Sequence, residues 1–346
     1  MSDWEKTLDE YGLKIEQRLS GFLKNEAKDA VGYHSFVGRL YLDLYDYVFR
    51  GGKRLALCST LLTYRGFTGE VDDRILDVCV GIELYRHAIL VHDDLVDDDE
   101  LRRGAGTIHK MYSQEKNSRF GNGVAVFAGN ILYTLALKAF GGSGLLSDKI
   151  VEVLKLLNDA FQSVNESQIL DLLFEYKTPD VDEWYVMASK RAASLFKASL
   201  RIGAVLADAS DRDVKLLCDA AEHIGYCFDI QDDIIDTFAT EEQYGRKPGG
   251  DLSKHKKPLH IVYTYRMANQ SQLQTFENGI CKDPLDLAVI RRIVSDCGAL
   301  EAAKNRSRTH ADSAKRLISE TAMSKDIKSF FISFIDYVKD SLNWYR

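Results

Sequence analysis

Proline is scarce in this chain. Four occur in 346 residues, at 179, 248, 258 and 284, so the first half has none. Proline breaks a helix from within, and periodic apolar segments free of it over such a distance predict long helices. Repeated β-branched alternation between turn dipeptides, the mark of strands, is also sparse. The expected class is all-α. The six cysteines (58, 79, 218, 227, 281, 297) form no CxxC pair, and several fall in apolar runs as small hydrophobes do. No uninterrupted membrane-length run is present. The nearest, residues 123–142, is diluted by Asn130 and Lys138 and is expected to be a buried helix rather than a membrane span. The start, Met1 to Glu5, is charged, so no signal peptide is expected and the cytoplasm is the expected location. Basic excess is missing too: the net charge of −7 argues against a general nucleic-acid binder. No linker rich in glycine, serine and proline interrupts the chain, so residues 1–346 are expected to form one domain.

What stands out is an aspartate cluster that occurs twice, as Asp93-Asp94-Leu95-Val96-Asp97 and as Asp232-Asp233-Ile234-Ile235-Asp236. Each follows a helix-like apolar run, which places its first and last aspartates about one turn apart on one face. Carboxylates stacked in this way repel, and burying them is costly unless cations lie between them. A single acidic run at a helix end is usually solvated, and Asp98, Asp99 and Glu100 read as such an end. Two clusters, each rooted in core-like sequence, instead predict a site for hard divalent ions, Mg²⁺ above all, bridged to a polyphosphate. Bound metal reverses the local field, so an acidic protein can take an anionic substrate.

Cations recur near these clusters: Lys53-Arg54 after Gly51-Gly52, Arg102-Arg103 beyond Asp97, Lys190-Arg191 in an otherwise small or apolar segment, and Lys256-Lys257. Arginine suits bidentate phosphate contacts, and lysine serves as a mobile charge. The glycine-rich charged stretch 241–257 follows the second cluster directly and is a candidate flap over a phosphate site. Gln168 and Asp171 form a polar pair at helical spacing.

In order and spacing, these residues resemble the trans-isoprenyl diphosphate synthases. The match runs from Gly51-Gly52-Lys53-Arg54 through Glu83-Leu84, His92 to Asp97 and Leu101 to Gly104, then Ser167 to Asp171, Lys190 with Leu195-Phe196, Phe228 to Asp236, Asp251-Leu252 and Lys256-Lys257. The first motif has no insertion between its aspartates, which is similar to the archaeal geranylgeranyl and farnesyl synthases and to longer-chain branches. The resemblance implies an isoprenoid synthase-type barrel of about ten or more helices around a deep central cavity, usually as a homodimer. It implies an Mg²⁺-dependent prenyltransferase that ionises an allylic diphosphate and condenses it with isopentenyl diphosphate, with about three ions present when substrate is bound. Asp93, Asp97, Asp232 and Asp236 would be metal ligands, with Asp94 and Asp233 close partners in catalysis. Arg102, Gln168, Lys190, Arg246 and Lys256 would grip the allylic diphosphate. Lys53, Arg54, Arg86 and Arg103 would hold isopentenyl diphosphate.

Several positions depart from the family pattern. Ala56 stands for an arginine and Arg86 for a histidine, both in the implied isopentenyl diphosphate pocket. The expectation is that Arg86 supplies the guanidinium missing at Ala56. Asn130 replaces an aspartate, Arg191 a threonine, Arg246 a lysine (beside Lys247) and Pro258 a threonine. Ala88 and Ile89, about one turn before Asp93, are small and moderate, so a product longer than farnesyl is expected, geranylgeranyl or geranylfarnesyl; Tyr85 and Tyr133 are the candidate blocks. The alternatives are a farnesyl diphosphate synthase, a terpene cyclase-like enzyme that does not use isopentenyl diphosphate, and a regulatory subunit of an active synthase.

Overall fold

A computed structural model describes residues 3–52, 54–244 and 247–341. They form sixteen α-helices and one two-residue hairpin. The all-α expectation holds, and the chain divides into two compact units, Met1–Lys155 and Leu156–Arg346.

The first unit contains α1 (Asp3–Tyr33), α2 (Ser35–Phe49), α3 (Leu55–Thr68), α4 (Asp73–Val96), the strands β1 (Leu101–Arg102) and β2 (Ala105–Gly106), α5 (Ile108–Glu115) and α6 (Ser118–Gly141). Its centre is α4, which packs most extensively on α6 and also on α3, α1 and α5. Asp72 caps α4 by accepting the Ile75 N–H at 3.0 Å. From there Val78, Ile82, Tyr85 and Val91 run along the helix within the core. Tyr85 and Tyr133 sit 6.3 Å apart, ring to ring. α6 is long and apolar enough to cross a membrane. Here it serves as a core helix, with Ala125, Ala128, Leu132 and Ala136 buried. A Cβ on Gly129 would come within 2.2 Å of the His92 imidazole, so only glycine lets α6 approach the first motif this closely.

α7 (Ser147–Tyr176) carries the chain into the second unit, followed by α8 (Val181–Leu206), α9 (Asp211–Phe238), α10 (Glu241–Tyr244), α11 (Gly250–Ser253), α12 (Leu259–Met267), α13 (Gln270–Ile280), α14 (Leu287–Asp296), α15 (Ala299–Glu320) and α16 (Lys325–Val338). An Asp180–Glu183 capping box starts α8 directly after Pro179. α9 is the organising helix here and packs on α8, α15 and α16. Its Ile230 and Ile234 enter a core with Trp184, Leu259, Phe276 and Ile290.

Candidate active site

The first motif lies in the last turn of α4, whose carbonyl-rich end adds negative potential to that of its aspartates. The carboxylates divide by face. Asp94 is buried: it accepts the Tyr47 hydroxyl at 2.5 Å on one oxygen and Arg102 Nε at 2.6 Å on the other. Burial raises its pKa, and the Arg102 charge opposes that rise. Asp93 and Asp97 are only partly buried, with Asp93 Oδ2 3.3 Å from Arg102. Arg102 is delivered by the β1–β2 hairpin, which folds the chain back onto α4. Arg103 is the left-handed corner of that hairpin, at φ 53°. Its guanidinium lies against Gly52, where an added Cβ would meet it at 2.3 Å.

Around Glu83, also on α4, stand three guanidiniums. Arg54 Nη1 lies 2.5 Å and Arg86 Nη1 3.7 Å from Glu83 Oε1, and Arg54 Nε reaches Glu16 at 3.0 Å. Arg103 is the third, and repulsion from Arg86 and Arg54 adds to partial desolvation in drawing its pKa down to about 10. Glu83 is fully buried. Burial would raise its carboxyl, but His87, Arg86 and Arg54 together hold it below its usual value. Burial takes His87 down to about 3, so at neutral pH the arginines carry the counter-charge. Arg54 Nη2 and Arg86 Nη1 are buried without a hydrogen-bond acceptor among the described residues. Arg54, read from the sequence as a diphosphate ligand, is largely committed to Glu83 and Glu16. Ala56 is buried in α3. Lys53 lies outside the described residues, as does Arg246.

The second motif lies on α9 in the other unit. Asp232 is exposed, whereas Asp233 and Asp236 are buried. Asp236 Oδ2 accepts the Asp251 N–H at 3.2 Å, and its carbonyl accepts the Gly249 N–H at 2.8 Å. The stretch after α9, read as a flap, is thus pinned to the motif, with α10 and α11 as short helices within it. Arg191 on α8 spans several carboxylates. It pairs with Asp229 through Nε at 3.0 Å and Nη2 at 2.8 Å, with Asp171 at 2.9 Å, and approaches Asp233 at 3.9 Å. Lys256 lies 3.4 Å from the other Asp171 oxygen. Burial, and then the Asp229 charge, push Asp233 well above the usual carboxylate range, against the pull of Arg191.

Adjacent residues on a helix point about 100° apart. Lys190, the expected diphosphate ligand, is accordingly exposed and pairs with Glu166, while Arg191 takes the buried place. Gln168 is half-buried on α7, one turn from Asp171. The sequence reading missed Asp229, although a carboxylate four residues before Asp233 in an apolar helix was a legible signal.

Among the described residues, no three His, Cys, Asp or Glu side chains converge as a ready-made metal site. Instead, Arg102 engages Asp93 and Asp94 of the first motif, and Arg191 approaches Asp233 of the second. The donor set is nonetheless all oxygen, and Asp233 Oδ2 is buried with no hydrogen-bond donor among the described residues. Such a set fits a hard divalent cation.

Comparison with known proteins agrees with this fold. The polyprenyl synthetase family model matches residues 39–297. A short chain isoprenyl diphosphate synthase of Methanocaldococcus jannaschii is 33% identical over 65% of this chain and 66% of its own length. A geranylfarnesyl diphosphate synthase of Aeropyrum pernix is 30% identical over 83% of this chain and 90% of its own. A geranylgeranyl pyrophosphate synthase structure from Corynebacterium glutamicum, complexed with isoprenyl diphosphate and magnesium, superposes with a TM-score of 0.90 at 20% identity, covering 98% of this chain and 100% of that one. The chain belongs to the polyprenyl synthetase family and is a trans-prenyltransferase with the all-α isoprenyl diphosphate synthase fold.

Proposed function

We propose that this enzyme condenses isopentenyl diphosphate with an allylic diphosphate to give a geranylgeranyl or geranylfarnesyl chain. The observation that carries the reading is the guanidinium cluster beside the first motif. Arg54, Arg86 and Arg103 face two carboxylates, Glu83 and Glu16, and two buried N–H groups among them have no acceptor. Unsatisfied buried donors on cations are costly, and the oxygens of a diphosphate would satisfy them. Arg86 and Arg103, with Lys53, bind that diphosphate; Arg54 and Glu83 position them. Arg86 stands in for the arginine absent at Ala56.

Asp93 and Asp97 of the first motif, with Asp232 and Asp236 of the second and Asp233 as a close partner, would hold Mg²⁺, about three ions with substrate bound. The Corynebacterium relative's magnesium supports that choice. Bound Mg²⁺ stabilises the charge that develops on the departing diphosphate. Arg102, Lys256 and Arg246 neutralise the same diphosphate, while Lys190 and Gln168 flank it. Asp236 anchors the segment that covers it. Once the allylic C–O bond has ionised, the double bond of isopentenyl diphosphate attacks the cation, and a proton is lost to the released diphosphate. Ala88 is small and Ile89 of moderate size about one turn before Asp93, which supports a product longer than farnesyl. The geranylfarnesyl and geranylgeranyl products named for relatives agree with that length. The same reading takes the two units as one synthase domain and the enzyme as a cytoplasmic homodimer, with exposed Phe127 on α6 as an apolar contact.

The test is incubation with Mg²⁺ and labelled isopentenyl diphosphate, offering dimethylallyl, geranyl and farnesyl diphosphate separately. Label in geranylgeranyl or geranylfarnesyl diphosphate is the expected result. Primer consumed without label would replace this reading with a cyclase, and no turnover with any primer would replace it with a regulatory subunit.

A further inference from the structure

We propose that Arg191 is a built-in counter-cation that keeps the second motif's affinity for divalent metal low until a diphosphate arrives. The inference rests on the metal-dependent reading above and concerns what this chain adds to it.

The geometry is specific. Asp229 and Asp233 are four residues apart on α9 and therefore share a face. Arg191 crosses to them from α8, and its planar fork takes both oxygens of Asp229 while also holding Asp171 from α7. The end that bonds Asp229 is 3.9 Å from Asp233 Oδ2, the oxygen with no hydrogen-bond donor among the described residues. The guanidinium thus sits where a divalent ion bound to Asp233 would place its charge. Two cations compete for the same carboxylates: the ion must either displace the arginine or bind beside it against repulsion. An incoming diphosphate removes the conflict, because it accepts bidentate hydrogen bonds from the guanidinium while bridging the metal. Metal binding and substrate binding become coupled through one side chain. Lys256 does not take over this role, because its charge lies on Asp171.

The measurement is Mn²⁺ binding to the purified full chain, by calorimetry and electron paramagnetic resonance, with and without inorganic pyrophosphate. Arg191→Gln is expected to bind Mn²⁺ about tenfold more tightly than the native chain without pyrophosphate, because one nearby positive charge is gone. Pyrophosphate is expected to enhance Mn²⁺ binding less in the variant than in the native protein. Arg191→Lys, which keeps the charge but not the fork, is the second variant and decides the matter if Arg191→Gln does not fold. It is expected to fall between the two. Unchanged Mn²⁺ affinity in folded Arg191→Gln, or pyrophosphate enhancement in Arg191→Lys as large as in the native protein, would overturn the proposal and leave Arg191 a purely structural ion pair. No prenyl substrate enters these titrations, so they stand apart from the labelling assay: a chain that fails to condense isopentenyl diphosphate still reports whether Arg191 opposes metal.

Discussion

At the residue scale, the chain solves the same problem several times: how to keep charge inside a helical protein. Glu83 is tolerable because Arg54 and Arg86 surround it, and Asp94 because Tyr47 and Arg102 do. Removing one partner leaves the other uncompensated, which is far costlier than the pair is stabilising. Both arginines have an N–H without an acceptor among the described residues, but Arg86 is half-buried, whereas Arg54 is buried and paired with two carboxylates, so Arg86 is the more available to a ligand. Arg86→Ala is expected to raise the Michaelis constant for isopentenyl diphosphate by about tenfold or more, the loss of a charged hydrogen bond. The constant for the allylic primer should stay within about twofold. Equal effects in steady-state kinetics would remove Arg86 from the pocket. His260 shows the opposite strategy. It is fully buried beside Thr237 with no charged partner among the described residues, and burial takes its pKa to about 3. An unfolded histidine titrates near 6.5, so between about 6.5 and 3 only the unfolded chain binds the proton. Stability is fully present above that window and is lost as pH falls into it. Urea unfolding should show the native chain losing about 2 kcal/mol more than His260→Leu between pH 7 and 5. Equal losses would mean that His260 is protonated in the fold.

At the element scale, the two motifs are held by different devices. A hairpin returns Arg102 to the end of α4, and backbone amides of the α10–α11 segment close on Asp236 at the end of α9. The second device predicts a local effect. In the metal-free protein, Asp236→Ala should speed amide exchange at Asp251 about tenfold, the worth of one partly buried hydrogen bond, and leave the core of α9 unchanged. Exchange spectroscopy that finds Asp251 unaltered would show that the side chain does not pin this segment. Helices and motif positions were legible in the sequence because they rest on periodicity, although α4 already ends at Val96, with Asp97 as its cap, rather than running on to Arg102. The hairpin was not legible, since two-residue strands carry no period. Nor was the exchange of roles between Lys190 and Arg191. A cationic pair in a small-residue segment shows that a helix face is charged, but only packing decides which neighbour turns inward. Asp229 was within reach and was passed over for the more conspicuous aspartates after it.

At the scale of the whole molecule, each compact unit contains one aspartate motif and an arginine that engages it. Folding is therefore expected not to depend on bound metal. Chelation with EDTA should abolish prenyl transfer while leaving the helical circular-dichroism signal intact and the melting temperature within about 3 °C, since no metal-binding free energy supports the fold. A large downward shift on chelation would mean that ions, not arginines, neutralise the carboxylates in the resting protein. The fold class and the two motifs were legible at this scale; the division into two units was not, because no break in composition marks the middle of α7.

The contact between α8 and α9 also constrains heredity. Arg191 is contributed by one helix, and Asp229 and Asp233 by the next, so a crossover between them would separate a charge from its complement. Recombinants that inherit α8 from a relative lacking this arginine, and α9 from this chain, would carry buried carboxylates with too little positive charge. In shuffled libraries these two helices should survive as a single block with α7, which carries Asp171, and the tolerated breakpoints should fall before Ser147 or after Ala239, where this network is not divided.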